Sequence, residues 1–283
     1  MSKDQRVAVV TGSNKGIGYG IVQGLCKKFD GIVYLTARDE NRGIAAVQKL
    51  NELGLEPEFH QLDVTDKESV NTFAEFIKNK HGGLDVLVNN AGIAFSRNSS
   101  VPFDRQAEES IAVNYFGLLN VCHALFPLLR PHARVVNVSS SMGHLLKIPS
   151  KKLQDSFSSP NVTEKEITDL MQQFVKSAKR GDHVKDWGES AYCVSKVGVS
   201  AVSFVQQREF DQDPREDIVV NSVHPGYVDT DMTSHNGVLT IEEGAYAPIL
   251  LSLLPPGVTS LRGQYVWRDG IAVSWLEPLK EHY

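Results

Sequence analysis

Five short apolar runs recur through the first half of this chain with longer amphipathic stretches between them, and this alternation narrows the possible folds most. Residues 7–11, 32–36, 59–62, 86–88 and 135–138 are brief, and all but Phe59-His60-Gln61-Leu62 are dominated by β-branched and other apolar side chains. A strand with one wet face alternates polar and apolar residues, whereas a strand covered on both faces does not. Between these runs the spacing changes. Val70, Phe73, Ala74 and Ile77 recur at three and four, after Asp66 as an N-cap. Strand, helix, strand in this rhythm predicts an α/β fold: a doubly wound parallel sheet, Rossmann-like, with helices on both faces. Residues 218–223 and 264–267 read as late strands, with a helix around 242–254 between them. No repeat, low-complexity tract or linker divides the chain, so residues 1–283 are expected to form one domain.

The rhythm breaks at about 145–188, which holds no convincing strand. Thr163 and Glu166 form a capping-box start. Ile167, Leu170, Met171, Phe174, Val175 and Ala178 then make one apolar stripe, and Gly181 is a natural stop. The segment reads as a helical insertion. Its stripe packs on the body of the protein, or in addition shapes a pocket or blocks an oligomer interface.

Charge and cysteine usage exclude several classes. With 29 basic and 34 acidic residues the net charge is −5, which gives no sign of a nucleic-acid partner. Cys26, Cys122 and Cys193 are odd in number, dispersed and without a CxxC pair. Neither a disulfide framework nor a metal site is expected, and reduced thiols suit a cytoplasmic protein. The opening residues run into an apolar stretch too short for a signal-peptide core, and no segment reaches about 18 uninterrupted apolar residues, so no membrane association is expected. The triplets beginning at Asn98, Asn137 and Asn161 match the glycosylation pattern and are read as chance.

Directly after the first strand comes Thr11-Gly12-Ser13-Asn14-Lys15-Gly16-Ile17-Gly18. Gly12 permits a tight turn, while Gly16 and Gly18 let backbone amides and a helix start approach a pyrophosphate. The end of the second strand chooses between dinucleotides. A carboxylate there would bond a ribose 2′-hydroxyl and repel a 2′-phosphate. The chain instead reads Thr36-Ala37-Arg38, and Lys15 adds a second cation from the loop. Two cations without a carboxylate favour a phosphate, hence NADPH as cofactor, against two solvated surface cations. Asp39 lies one step further and is expected to cap the next helix.

Tyr192 and Lys196 stand four apart, on one face if the segment is helical. A free phenol titrates near pH 10, too high for efficient proton transfer at neutral pH, and a neighbouring ammonium together with the positive nicotinamide of the oxidised cofactor lowers it. Alone, such a pair is common surface decoration. It is accompanied by Ser139-Ser140-Ser141 just after the fifth strand, at the edge where such sheets bind ligands. A hydroxyl there bonds a carbonyl oxygen as charge develops on it. Asn114, in the middle of a helical stretch, fits either a proton relay or an exposed helix face.

The set TGSNKGIG, Asn89-Asn90-Ala91-Gly92, Ser139-Ser140, Tyr192-x-x-x-Lys196 and His224-Pro225-Gly226 resembles the short-chain dehydrogenase/reductase family, in the family's order and over almost the whole chain. Thr36-Ala37-Arg38, Phe59-His60-Gln61-Leu62-Asp63, Gly92-Ile93-Ala94-Phe95 and the long insertion are similar to its monomeric NADPH-dependent carbonyl reductases. The resemblance implies a dinucleotide-binding catalytic domain that transfers hydride from NADPH to aldehydes and ketones, including quinones and other xenobiotic carbonyls. Tyr192 would be the general acid. Lys196 would hold the nicotinamide ribose and lower the phenol's pKa, with Ser140 the catalytic serine and Asn114 the relay. Gly12, Asn14, Lys15, Gly16, Ile17 and Gly18 would cradle the pyrophosphate. Asp63 and Val64 would flank the adenine, Asn90 would touch a ribose, and Val228, Asp229 and Thr230 would close over the nicotinamide amide. The insertion implies a monomer, since it covers a helix face that relatives use for tetramers. Some relatives imply a glutathione-conjugate site around Phe95, Ser96, Arg97 and Gln106. The chain departs from vertebrate carbonyl reductases at His224, where they tend to carry cysteine, and at Tyr227, where they tend to carry tryptophan. A dedicated steroid or prostaglandin dehydrogenase, or a non-catalytic NADP-binding sensor, are the alternatives on the same fold.

Overall fold

The computed structural model describes residues 5–96 and 98–278. Seven strands run parallel: β1 (Val7–Val10), β2 (Ile32–Ala37), β3 (Glu58–Gln61), β4 (Leu84–Asn89), β5 (Leu129–Val138), β6 (Val219–Val223) and β7 (Tyr265–Val266). A short antiparallel strand, β8 (Ala272–Val273), closes the sheet, whose order is β3-β2-β1-β4-β5-β6-β7-β8. Every residue of β1, β4 and β6 is buried, as expected of strands covered by helices on both faces.

Helices cover both faces. On one side α1 (Gly16–Lys28), α2 (Glu40–Glu52) and α10 (Ile241–Ser252) pack Ile21, Leu25, Leu50 and Leu251 against Val10, Val33 and Val136. On the other lie α3 (Lys67–His81), α4 (Phe103–Ile111), α5 (Leu118–Leu125) and α9 (Ala191–Phe210). Asp66 caps α3 through Glu68 N, and Asp39 caps α2 through Arg42 N. The helical run Phe103–Leu128 is apolar and long enough by composition to cross a membrane, but half of its most apolar window is buried inside the protein. There Ile111, Tyr115, Leu119 and Cys122 join the core that α9 completes.

The insertion holds α6 (Lys151–Phe157), α7 (Glu164–Arg180) and α8 (Val184–Trp187). Thr163 and Glu166 make the full capping box, and Gly181 ends α7 with φ 76°. Ile167, Met171, Phe174 and Ala178 are buried where α7 packs against α4 and α9, with Leu170 and Val175 partly buried beside them. Phe174 meets Phe103 of α4 edge to face at 6.2 Å. The stripe therefore serves the main core.

Two elements depart from the sequence reading. β5 begins six residues before 135, because Arg134 sits inside it at 2% exposure. Its guanidinium donates to Asp217 Oδ2 at 2.9 Å and to the carbonyls of Asp217 and Pro255 at 2.7 Å. A charge that ends a strand on paper is accommodated by partners distant in sequence. β8 has only two residues, too few to show a period. Asn137 is fully buried and donates to Ser203 Oγ and Gln206 Oε1, so its triplet is internal.

Candidate active site

The sheet changes winding direction between β1 and β4, and the loops leaving these strands open the crevice where such folds hold ligands. Residues 11–18 join β1 to α1. Ser13 is fully buried, donates to Val10 O at 2.7 Å and accepts from Thr36 N at 3.0 Å, tying the loop to the end of β2. Gly12 and Gly16 both hold φ at 59°, a region L side chains rarely adopt. A methyl on Gly18 would sit 2.4 Å from Asn90 Nδ2 and 2.8 Å from Ser13 Cα. Asn14 and Ile17 lie partly buried in the same turn. Asn90, expected against a ribose, spends its amide nitrogen on Thr11 O and Gly12 O, both at 3.0 Å, and so braces the loop from β4.

The start of α1 differs from the other long helices. Side chains of Asp39, Asp66, Thr163, Ser190 and Thr240 cap α2, α3, α7, α9 and α10, whereas Lys15 makes no cap to α1. The first-turn amides and the positive end of the helix dipole are left for an anion, and the glycine-lined approach fits a pyrophosphate. Arg38 is exposed at the tip of β2, and no ion pair engages its side chain among the described residues. Lys15 is different. It is not a second free cation, because its ammonium pairs with Asp231 Oδ2 at 2.7 Å, linking the loop to the segment after β6. Thr230 stands opposite Gly16, Val228 is buried and bridges Leu239, and Asp229 pairs with His235. At the end of β3, Asp63 Oδ1 accepts from Thr65 N and Thr65 Oγ1, while Val64 is buried against the helical run bearing Asn114.

Further along the same edge the polar set converges. Tyr192 lies in the first turn of α9, which Ser190 caps through Cys193 N. Its phenol faces the Ser140 hydroxyl, which favours the ionised phenol. Lys196, one turn on, is 5% exposed; its ammonium donates to Val138 O at 2.7 Å and lies 5.8 Å from the Tyr192 ring centre. The adjacent serine faces away. Ser139 Oγ bonds Ser200 Oγ at 2.7 Å and donates to Lys196 O, which leaves Ser140 as the hydroxyl turned toward the phenol.

Asn114 is 1% exposed, which removes the exposed-face reading. It sits in a π-helical turn, residues 112–117, between α4 and α5, an irregularity frequent at functional sites. Its Oδ1 accepts from Ile93 N at 2.8 Å, and its Nδ2 donates to Ile93 O and Ser195 Oγ, both at 2.9 Å. Ser195 donates onward to Tyr192 O at 2.8 Å. A methyl on Gly92 would lie 3.2 Å from Asn114 Oδ1 and 3.6 Å from Lys196 Nζ, so glycine keeps those two groups on one clear space. Ser195 and Ser13 are further functional residues that the sequence does not mark, since a serine between better-marked residues carries no signal of its own.

Burial pushes the Tyr192 phenol above its ordinary value; the Ser140 hydroxyl opposes this and Cys193 adds to it. In the protein by itself the phenol is therefore not acidified. Burial also lowers the Lys196 ammonium to about 8. Gln106 donates to Val101 O at 2.7 Å, and Arg97 lies outside the described residues.

Residues 6–150 match the family model described as short chain dehydrogenase. Carbonyl reductase (NADPH) 3 of Mus musculus is 47% identical over 278 residues, covering 97% of this chain and 100% of that relative. Carbonyl reductase (NADPH) 1 of Homo sapiens is 48% identical over 269 residues, covering 94% and 97%. Among solved structures, salutaridine reductase from Papaver somniferum superposes with a TM-score of 0.83 at 32% identity, over 92% of this chain and 99% of that one.

Proposed function

The chain belongs to the short-chain dehydrogenase family, and from that premise we propose that it reduces aldehydes and ketones to alcohols with NADPH, quinones and other xenobiotic carbonyls among them. The observation that carries this reading is the meeting of Ser140, Tyr192, Lys196 and Asn114 beside the uncapped start of α1. NADPH, when bound, supplies the hydride.

The residues divide the remaining work. The α1 amides hold the pyrophosphate, and Arg38 gives a 2′-phosphate a charge-assisted bond that NADH could not use. Asp63 and Val64 flank the adenine, Asn90 keeps the loop in shape, and Val228 and Thr230 cover the nicotinamide end. Ser140 donates to the carbonyl oxygen as it becomes negative, and Tyr192 delivers its proton to the same atom. A phenol whose pKa burial has raised is fully protonated at neutral pH, the state a general acid must start in. Lys196, poised at about 8, is the group nearest neutrality from which the phenol can be resupplied, with Asn114 fixed on the same space. With α7 covering the faces of α4 and α9, the protein works as a monomer, in the cytoplasm.

Tyr192→Phe tests the assignment. Turnover of a quinone or an aromatic aldehyde should fall about 10²–10⁴-fold while NADPH affinity is kept. Turnover near wild type would remove Tyr192 from the role.

A further inference from the structure

We propose that His224 and Tyr265 are positioning residues that grip the peptide group between Ser140 and Ser141 and so hold the Ser140 hydroxyl beside Tyr192. The idea rests on the reductase reading above and extends it to two side chains outside the converging set.

The geometry is specific to one peptide plane. Tyr265 Oη donates to Ser140 O at 2.6 Å, and Ser141 N donates to His224 Nδ1 at 2.9 Å. These are the carbonyl and the N–H of the same planar unit, so holding both fixes its orientation. That orientation sets ψ of Ser140, at 161°. The remaining freedom is the side-chain rotamer, which Met142 N restrains by donating to Ser140 Oγ at 3.1 Å. Ser140 lies past the end of β5, where its carbonyl has no ladder bond and accepts, besides Tyr265 Oη, the turn bond from Gly143 N at 2.8 Å. Tyr265 belongs to β7, and His224 follows β6 with its ring centre 4.3 Å from that of Trp267. Two elements of the sheet edge thus reach across to one catalytic loop.

The grip requires both groups in their neutral forms. An Nδ1 that accepts a hydrogen bond leaves the ring proton on Nε2. Burial, aided by the facing charge of Arg268, keeps His224 neutral down to about 4. Burial and the neighbouring Tyr192 push the Tyr265 phenol well up, so it stays a donor.

The test compares Tyr265→Phe, His224→Leu and His224→Asn with wild type, using NADPH consumption with an aromatic aldehyde and fluorescence titration of NADPH binding. Tyr265→Phe and His224→Leu should each lower kcat about tenfold or more, with NADPH affinity within about twofold, as expected when one hydrogen bond to the loop is lost. His224→Asn places an amide oxygen near the Nδ1 position and should recover most of kcat. The double variant should lose less than the product of the two, because both act on one peptide group. Unchanged kcat in Tyr265→Phe and His224→Leu, or an Asn variant as impaired as Leu, would overturn the grip while leaving the reductase reading intact. A wild-type protein that binds NADPH yet reduces no carbonyl would overturn the reductase reading, and the grip with it. Should His224→Leu fail to fold, Tyr265→Phe, which removes one oxygen atom, decides alone.

Discussion

Replacing Lys196 with methionine should abolish turnover and at the same time make the folded protein no less stable, and at neutral pH more so. The ammonium is 5% exposed, and burial lowers its pKa from 10.5 to about 8. At 1.36 kcal/mol per pH unit, keeping it charged at pH 7 costs the folded state about 3 kcal/mol. Methionine removes that cost and fills similar space. It also leaves Val138 O without its 2.7 Å donor, which returns about 1–3 kcal/mol. The net expectation at pH 7 is a variant between equal to wild type and about 2 kcal/mol more stable. The sign with pH is fixed by linkage. For a lysine whose folded pKa is depressed, the penalty is fully present below about pH 8 and disappears as pH rises toward 10.5. Wild type should therefore gain about 2 kcal/mol on the variant between pH 7 and pH 10. Urea unfolding of both proteins at the two pH values measures this directly. A variant destabilised at pH 7 by well over about 1 kcal/mol, or a difference that does not move with pH, would refute the buried-charge account.

Arg38→Asp should weaken NADPH about ten- to a hundredfold and NADH far less, since the lost bond is to a phosphate that NADH lacks; equal losses in fluorescence titrations would count against the phosphate assignment. Gly18→Ala puts a methyl 2.4 Å from Asn90 Nδ2 and 2.8 Å from Ser13 Cα, so it should lower stability by about 1–3 kcal/mol and impair cofactor binding together, read by urea unfolding and the same titration. Phe174→Ala, in the core between α7 and α4, should cost about 3–5 kcal/mol of stability; an unchanged unfolding midpoint would show that the insertion lies outside the main cooperative unit.

Much of the fold was legible before any coordinates, for reasons that differ by element. Strands β1, β4 and β6 are buried along their whole length; β1 is an unbroken apolar run, and β4 and β6 keep an apolar majority. Helix α7 carried its start and stop signals within eighteen residues of one another. β5 extends beyond its apolar run because Arg134, a boundary by local sequence, is enclosed by Asp217 and Pro255. Helix α9 is buried almost all round, so its sequence has little amphipathic period, and only the spacing of Tyr192 and Lys196 marked it. The acidification of Tyr192 by Lys196 was expected from their spacing. In the protein by itself burial raises the phenol instead, which spacing along a helix cannot report.

By itself the sequence determined the parallel sheet, its two helical layers, the glycine turn after β1 and the identity of the phenol and ammonium. Each of these is written in periodicity or spacing over a few residues. Tertiary structure alone decided that Ser139 turns away to Ser200, that Lys15 is paired with Asp231, that Asn114 reaches Ser195, and that Tyr265 bonds the serine loop. Those partners lie 61, 216, 81 and 125 residues apart along the chain for Ser139–Ser200, Lys15–Asp231, Asn114–Ser195 and Ser140–Tyr265. A hydrogen bond depends on where two atoms arrive after the chain has packed, and no local pattern records that arrival.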